Sequence, residues 1–224
     1  MTSRRLALFD LDNTLLSGDS DHAFGEFLIR KQLVDADSHR ASNDRFYQDY
    51  CNKRLDIHAY VAFTLQPVLA MDAGARQALL DEYVREVLTT MVPARATELV
   101  QGHRERGDYC VIITATNSFI TAPIAAAFGV DKLLATELET DGERFTGRIA
   151  GIPCYREGKV EKLLKWLDGD LAAASLSLAN SIFYSDSIND LPLLERVSEP
   201  VVVNPDEHLD RVAVERGWPA LSLR

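Results

Sequence analysis

Short, continuously apolar runs alternate with helical patterns along most of this 224-residue chain, and this alternation constrains its fold more than any other feature. Such runs have the length and composition of buried parallel strands. They are RLALFDL, YCVIIT, KLLATELE, SIFYSD and EPVVVN. Alternation of this kind predicts an α/β protein with a parallel sheet covered by helices on both faces. Asp141-Gly142, between two alternating segments, predicts a tight hairpin.

A long helical stretch interrupts the alternation directly after the first strand, which is expected to end near Leu11. Between about 20 and 106, apolar residues recur at helical spacing and no segment reads as a strand. Pro93 is expected in the first turn of the last helix of this stretch. We therefore expect a Rossmann-like core and an inserted all-helical cap. The core comprises residues 1–16 and 93–224, and the cap residues 17–92.

Composition and charge exclude several classes of protein. The formal net charge of −10 disfavours binding to nucleic acid or to an anionic membrane, because both need basic patches. No apolar stretch approaches the roughly 18 residues of a membrane span, and the apolar run in MTSRRLALFDLDNT is too short for a secretory signal. The odd number of cysteines, Cys51, Cys110 and Cys154, favours reduced thiols and a cytoplasmic location. Nothing in the sequence indicates the oligomeric state.

Polar clusters follow three of the predicted strands. Asp10 and Asp12 follow the first, Thr114 ends the second, and Asp186 follows a later one. Parallel sheets bind ligands beyond the carboxyl ends of their strands, so these clusters mark the expected site. Buried carboxylates are costly without a partner, and Mg2+ prefers carboxylate oxygens. Asp10, the backbone carbonyl of Asp12, and Asp186 are therefore candidate Mg2+ ligands.

Lys159 is the candidate cation of this site. It follows Gly158 near a predicted helix start, where free backbone N–H groups also favour an anion. Lys162 and Lys165, farther along the same helix, are expected to face solvent. An ammonium group, a threonine hydroxyl and Mg2+ that converge on carboxylates suit the binding of a phosphoryl group.

Four motifs in this order resemble those of the haloacid dehalogenase superfamily. They are Asp10-x-Asp12-x-Thr14, the apolar run that ends in Thr114, Gly158-Lys159, and Ser185-Asp186-Ser187-Ile188-Asn189-Asp190. The helical insertion is similar to the cap of the phosphoserine-phosphatase-like branch. The chain also resembles small bacterial phosphoserine and histidinol-phosphate phosphatases.

The resemblance implies a catalytic role for four residues. Asp10 would be the nucleophile that forms an aspartyl-phosphate, and Asp12 the general acid and then the general base. Dehalogenases lack this second aspartate, so Asp12 favours phosphoryl transfer. Thr114 would hydrogen-bond a phosphoryl oxygen, and Lys159 would neutralise negative charge.

The resemblance also implies a Mg2+ site and a set of supporting residues. The implied Mg2+ ligands are Asp10, Asp12 and Asp186. Asn189 and Asp190 would orient the groups around the metal, and Thr14 would support the turn.

Substrate choice is assigned to the cap, which would exclude water from the site. Asp19 or Asp21 is expected to pair with a substrate ammonium group, although Asp19 or Ser20 fits the alternative role of helix N-cap equally well. Many phosphoserine phosphatases have two glycines after the threonine of the second motif, whereas this chain has Ala115-Thr116-Asn117. The departure puts serine phosphate in doubt, and Asn117 is expected to offer its amide to the substrate.

The sequence thus predicts a Mg2+-dependent phosphomonoesterase that acts on a small phosphorylated metabolite, with phosphoserine and histidinol phosphate as candidate types. Two alternatives stay open. One is a phosphotransferase that passes the phosphoryl group to an alcohol. The other is a non-catalytic regulatory module that binds phosphate, although pure binding needs no acid or base at Asp12.

Overall fold

The computed structural model describes residues 4–173 and 175–224. Residues 1–3 and 174, which the sequence assigns to the core, lie outside the described residues. The strands are β1 (Leu6–Phe9), β2 (Tyr109–Asn117), β3 (Lys132–Thr136), β4 (Leu138–Asp141), β5 (Arg144–Ile149), β6 (Ser181–Ser185), β7 (Glu199–Val203) and β8 (Ala220–Leu221).

The α-helices follow the predicted alternation. They are α1 (Ser20–Arg30), α2 (Ala36–Cys51), α3 (Ile57–Leu65), α4 (Ala73–Tyr83), α5 (Thr89–Met91), α6 (Ala94–Glu105), α7 (Ser118–Phe128), α8 (Glu157–Gly169), α9 (Leu191–Leu194) and α10 (Glu207–Arg216). Short 3-10 turns lie at Gln66–Val68, Leu171–Ala173, Leu178–Asn180 and Ile188–Asp190, and a π-helical turn at Val84–Leu88.

Six strands form one parallel sheet in the order β3-β2-β1-β6-β7-β8. The central strand β1 lies between β2 and β6, and Leu8 pairs with Val111 on one side and Phe183 on the other. The carboxyl ends of β1, β2 and β6 therefore meet at one edge. This arrangement confirms the predicted α/β fold.

Both faces of β1 are buried, and its side chains alternate between two hydrophobic clusters. Ala7 and Phe9 belong to a cluster that includes α6, α7 and the helices before β2, and the ring of Phe9 stacks on Tyr184 with centroids 5.3 Å apart. Leu6 and Leu8 face the opposite cluster, which includes α8 and α10. Burying one such leucine contributes about 1.5–3 kcal/mol, so both helical layers are held by the same short strand.

The helical segment 17–92 comprises α1 to α5 and leaves and re-enters the core at one point. The Ser17 N–H donates to the carbonyl of Met91 over 2.8 Å, so the two ends of the segment lie side by side. Each of the first four helices begins after an aspartate whose carboxylate accepts a backbone N–H. These caps are Asp19, Asp35, Asp56 and Asp72. Such caps are each worth about 1 kcal/mol and fix where the helices start.

The antiparallel hairpin β4–β5 packs against helix α4 of the helical segment. Its two-residue turn is Gly142-Glu143, one residue later than predicted, because Asp141 still pairs with Arg144. The guanidinium of Arg76 in α4 donates to the Glu143 carbonyl and lies 4.6 Å from the Phe145 ring centroid. The hairpin is therefore fastened to α4.

Three boundaries differ from those that the sequence predicts. β1 ends at Phe9 rather than Leu11, because the chain turns at Asn13, whose φ is 58°. β2 continues three residues beyond Thr114. Pro93 occupies the N-cap position of α6 rather than its first turn, with an extended ψ of 145°.

The three cysteines are free thiols, as the sequence predicts. Cys51 is exposed, and Cys110 and Cys154 are buried. Burial raises the pKa of Cys110 and of Cys154 to about 12, so neither is a thiolate at neutral pH. No helix within the described residues combines the length and apolar character that crossing a bilayer requires.

Two glycines of α8 should respond oppositely to alanine. A Cβ on Gly158 would lie 2.1 Å from the carbonyl oxygen of Pro153, so Gly158→Ala should displace the start of α8 and cost about 2–3 kcal/mol. A Cβ on Gly169, at the other end of the helix, would meet no atom within 4 Å, and Gly169→Ala should be neutral or stabilise by about 0.5–1 kcal/mol. Urea unfolding midpoints measure both, and equal effects would contradict the close contact at Gly158.

Candidate active site

Lys159 joins two carboxylates at the carboxyl edge of the sheet. Its Nζ lies 2.7 Å from Oδ1 of Asp10, after β1, and 2.7 Å from the Asp190 carboxylate, after β6. All three side chains are buried. Burial alone would lower the pKa of Lys159, but the charges of Asp10 and Asp190 outweigh it and raise that pKa, so the ammonium stays charged. Ser185 also donates to Asp190 over 2.7 Å.

The hydroxyl of Thr14 lies between the carboxylates of Asp10 and Asp186 but can donate a hydrogen bond to only one of them. Its Oγ1 is 3.2 Å from Oδ2 of Asp10 and 3.2 Å from Oδ1 of Asp186, and it accepts the Asp186 N–H over 3.0 Å. A hydroxyl has one proton, so it can donate to only one of the two carboxylates. Burial, together with the charges of Asp10 and Asp190, raises the pKa of Asp186 well above its ordinary value.

This donor set fits Mg2+. Oδ2 of Asp10 and Oδ1 of Asp186, which share the single hydroxyl proton of Thr14, are the hard ligands that Mg2+ prefers, and the metal usually keeps several waters. No group of three or more His, Cys, Asp or Glu side chains within the described residues is arranged to hold a metal by itself. The expected set has two carboxylate side chains and the backbone carbonyl of Asp12.

Asp12 lies in the turn after β1, and helix α1 holds its carboxylate. Oδ1 accepts the backbone N–H of Ser20 over 2.6 Å, and Oδ2 accepts the hydroxyl of Thr116 over 2.8 Å. Burial and the negative charge of Asp19 raise the pKa of Asp12 to about 6. A carboxyl group with this pKa can hold and release a proton near neutral pH.

Thr114 is buried, and its hydroxyl accepts the N–H of Thr116 over 3.2 Å. It lines the same cavity as Asp10, Asp12 and Lys159. The structure thus brings together the four residues that the sequence singles out for catalysis.

Asp19 and Asp21 both line this cavity, on the side of the helical segment. The Asp19 carboxylate accepts the His22 N–H over 2.8 Å, so Asp19, not Ser20, is the N-cap of α1. Asp21 is buried. Burial, then the charges of Asp19 and Asp12, raises the pKa of Asp21 well above its ordinary value. The cavity therefore crowds acidic groups beside the predicted phosphoryl site, and a cation bound there would favour their ionised forms.

Asn117 does not offer its amide to the cavity as the sequence predicts. The side chain is fully buried. Its Nδ2 donates to Asp21 over 3.3 Å, and its Oδ1 caps α7 through the N–H of Ile120 over 3.2 Å. The reason is the longer β2, which turns position 117 into a helix cap. Asn117 therefore acts on the cavity only through Asp21.

Lys162 also differs from expectation, because it is partly buried rather than directed into solvent. Its ammonium group donates to the carbonyl of Ala135 and lies 3.5 Å from the carbonyl of Ile152. Lys165 is exposed, as predicted.

Aromatic side chains form the remaining wall of the cavity, and sequence reasoning missed them. They are Phe46, Tyr47, Tyr50, Tyr60 and Tyr155. Of the described residues that line the cavity, Lys159 alone is a lysine or arginine, and Asp10 and Asp190 already neutralise it. The sequence also gave no role to Thr116, although its position two residues after Thr114 on one strand places both on the same face.

Comparison with known proteins gives one family. A family model described as haloacid dehalogenase-like hydrolase matches residues 7–195. A Neisseria meningitidis protein named histidinol-phosphatase is 42% identical over 222 residues, which cover 99% of this chain and all of that protein. A Mycobacterium tuberculosis protein named phosphoserine phosphatase is 30% identical over 221 residues, 97% of this chain and 70% of its own.

Solved structures show the same fold. A Bordetella pertussis protein of unknown function has a TM-score of 0.90 and 43% identity, with all of both chains covered. A substrate-bound phosphoserine phosphatase has a TM-score of 0.70 and 13% identity, over 94% of this chain and 91% of its own. The second similarity concerns the fold alone.

Repulsion among the carboxylates of the site should lower the free energy of unfolding of the metal-free protein. Asp12→Asn removes one half-buried negative charge near Asp19 and should stabilise the protein by about 1–2 kcal/mol at pH 8 in EDTA. The gain should shrink as the pH falls through about 6, since wild-type Asp12 then takes up a proton. Asp44→Asn, an exposed control, should stay within about 0.5 kcal/mol of wild type. Denaturant titrations measure these differences, and a destabilised Asp12→Asn would refute the repulsion.

Proposed function

Since the chain belongs to the haloacid dehalogenase-like hydrolase family and is a phosphatase, we propose that it hydrolyses a small phosphate monoester through a phosphoryl group bound to Asp10. The observation that carries this proposal is the buried ammonium of Lys159 between Asp10 and Asp190, beside Asp12. Lys159 holds Asp10 in one position, and the proton-carrying group lies two residues away. A site that only bound phosphate would have no use for the acid at Asp12.

In the first step, a carboxylate oxygen of Asp10 attacks phosphorus and forms an acyl phosphate. The bond from phosphorus to the ester oxygen breaks, and the departing alkoxide takes the proton of Asp12. The ammonium of Lys159 and the hydroxyl of Thr114 stabilise the charge on the phosphoryl oxygens.

In the second step, the Asp12 carboxylate removes a proton from water as the water oxygen attacks phosphorus. The bond from phosphorus to the Asp10 oxygen breaks, which releases phosphate and restores Asp12 in its protonated form. The N–H of Ser20 and the hydroxyl of Thr116 keep the Asp12 carboxylate in position through both steps.

We also propose that Asp10, the backbone carbonyl of Asp12, and Asp186 bind Mg2+. The bound metal would supply positive charge that allows two neighbouring carboxylates and a phosphate to coexist. Thr14, Asn189 and Asp190 would keep these groups in position.

The helical segment 17–92 is proposed as a cap over a core of residues 1–16 and 93–224. Support comes from the cavity, whose walls combine groups from both parts of the chain. The cap would exclude water from the reaction and select the substrate.

The charge of the cavity supports a substrate class. Asp19 and Asp21 would pair with a substrate ammonium group, whereas a substrate carboxylate would meet no free cation among the described residues of the lining. Burying an unpaired carboxylate next to these aspartates is costly. We therefore propose a phosphate ester that carries an amine and no carboxylate.

The aromatic wall refines this class. Tyrosine and phenylalanine rings stack well on a planar ring and attract cations over their faces. Histidinol phosphate has an amine, an imidazole ring and no carboxylate, and the Neisseria meningitidis relative at 42% identity bears the name histidinol-phosphatase. Phosphoserine, which carries a carboxylate, fits this cavity less well.

Replacing the nucleophile should abolish turnover. Wild-type protein with Mg2+ should release inorganic phosphate from p-nitrophenyl phosphate in equimolar amount to nitrophenol, and EDTA should stop the release until Mg2+ is added back. Asp10→Asn should lower kcat by at least about 10³-fold, since the amide cannot form the acyl phosphate. Substantial activity in Asp10→Asn would refute the mechanism, and nitrophenol without matching phosphate would indicate transfer to another acceptor.

A matched pair of substrates tests the proposed class. Phosphoethanolamine differs from phosphoserine only in lacking the carboxylate, so its kcat/KM should be higher, and that of histidinol phosphate higher again. Asp21→Asn should lower kcat/KM for histidinol phosphate by about 10- to 100-fold, the worth of one charged hydrogen bond, and less for p-nitrophenyl phosphate. Preference for phosphoserine, or an equal loss on both esters, would contradict the class.

A further inference from the structure

Tyr50, near the end of α2, contacts the loop of residues 186–190. Its hydroxyl donates to Oγ of Ser187 over 2.8 Å, and its backbone carbonyl accepts Nδ2 of Asn189 over 3.3 Å. We refer to these two bonds as the cap–loop contact. Burial raises the pKa of Tyr50 well above its ordinary value, so the hydroxyl remains a donor at any physiological pH.

The cap–loop contact helps to hold the side chain of Asn189 in place. Asn189 is buried, and its Oδ1 accepts the hydroxyl of Tyr155 over 3.3 Å. The Ser187 hydroxyl that receives Tyr50 also accepts the backbone N–H of Asn189 over 3.2 Å. The position of Asn189 therefore depends on where α2 lies.

The same loop carries the carboxylates of the proposed site. Asp186 contacts Thr14, and Asp190 contacts Lys159, at the two ends of residues 186–190. A displacement of the loop would move both. Asp186 directly precedes Ser187, and Asp190 directly follows Asn189. A shift of α2 that moves Ser187 and Asn189 would therefore also move both carboxylates.

Helix α2 has few buried side chains, and its other described contacts include the Arg40–Glu26 ion pair with α1 and ring contacts of α2 with Phe63. Of its sixteen residues, only His39 and Asn43 are buried. Few buried side chains favour local opening, so the contacts at the end of α2 contribute to how often that end leaves the core. A second contact at the same corner is the Arg156 guanidinium, 3.4 Å from the carbonyl of Lys53.

We propose that Tyr50 is a positioning residue, which holds α2 over the cavity and keeps loop 186–190 in its active arrangement only while α2 is in place. The catalytic part of this inference rests on the proposed phosphatase function. The proposal that Tyr50 holds α2 against residues 186–190 is independent of that function. Substrate that is bound under α2 would replace some of the lost restraint, so the contact should matter more for binding than for turnover.

Tyr50→Phe removes the hydroxyl and little else. Backbone amides of α2 and of residues 186–190 should exchange with deuterium about fivefold faster, the factor that one net hydrogen bond supplies. KM for p-nitrophenyl phosphate should rise by less than about twofold and kcat should stay unchanged, because the fraction of competent protein stays near one while the open form is the minor one. Equal exchange in wild type and variant would overturn the proposal.

Tyr47→Phe is the matched control. Tyr47 lies one turn earlier in α2 and lines the same cavity, but its side chain is mostly exposed. This variant should leave exchange of residues 186–190 unchanged. A rise in exchange equal to that of Tyr50→Phe would overturn the role assigned to Tyr50.

A double mutant separates the hydroxyl pair from general damage. Ser187→Ala removes the acceptor, so Tyr50→Phe should add nothing to exchange in the Ser187→Ala background, and additive effects would refute the pair. Exchange needs no turnover. Absence of activity in wild type with a normal exchange response would refute the phosphatase function alone, whereas normal activity and no exchange response would refute only the cap–loop contact.

Discussion

The ion pair of Lys159 with Asp10 and Asp190 is the interaction on which the rest of the site depends. Two strands and one helix contribute to it, because Asp10 follows β1, Asp190 follows β6, and Lys159 lies in α8. Removing one member of such a buried set leaves uncompensated charge and costs about 3–5 kcal/mol. The parallel sheet is thus the frame that permits a buried ammonium between two carboxylates, and Gly158 permits α8 to begin close enough to supply it.

The helical segment does more than cover this frame. The first backbone N–H of α1 binds the Asp12 carboxylate, so a group of the core takes its orientation from the inserted helices. Asp19 fixes the start of that helix and also raises the pKa of Asp12. Under the proposed mechanism, proton transfer by Asp12 and the cover of the cavity by α1 therefore depend on the same few atoms.

Local pattern predicted most of the fold and the convergence of Asp10, Thr114 and Lys159, because the carboxyl ends of parallel strands meet at one edge. It did not predict Tyr50 or the other aromatic residues, since their places depend on how helices pack over long sequence distances. The Asn117 prediction failed for a related reason: where a strand ends is decided by pairing with its neighbour, and here β2 pairs with β3 as far as Asn117. Thr116 could have been found from strand alternation.

The adjacent ends of the helical segment, joined by Ser17 and Met91, have a consequence for the history of such proteins. An insert whose entry and exit touch imposes no change of spacing on β1 or β2, so its length and sequence can drift while the sheet stays in register. The reaction and the choice of molecule can then be inherited separately. Under the proposed role of the insert, relatives with nearly the same sheet would process different esters wherever the inner wall of the insert differs.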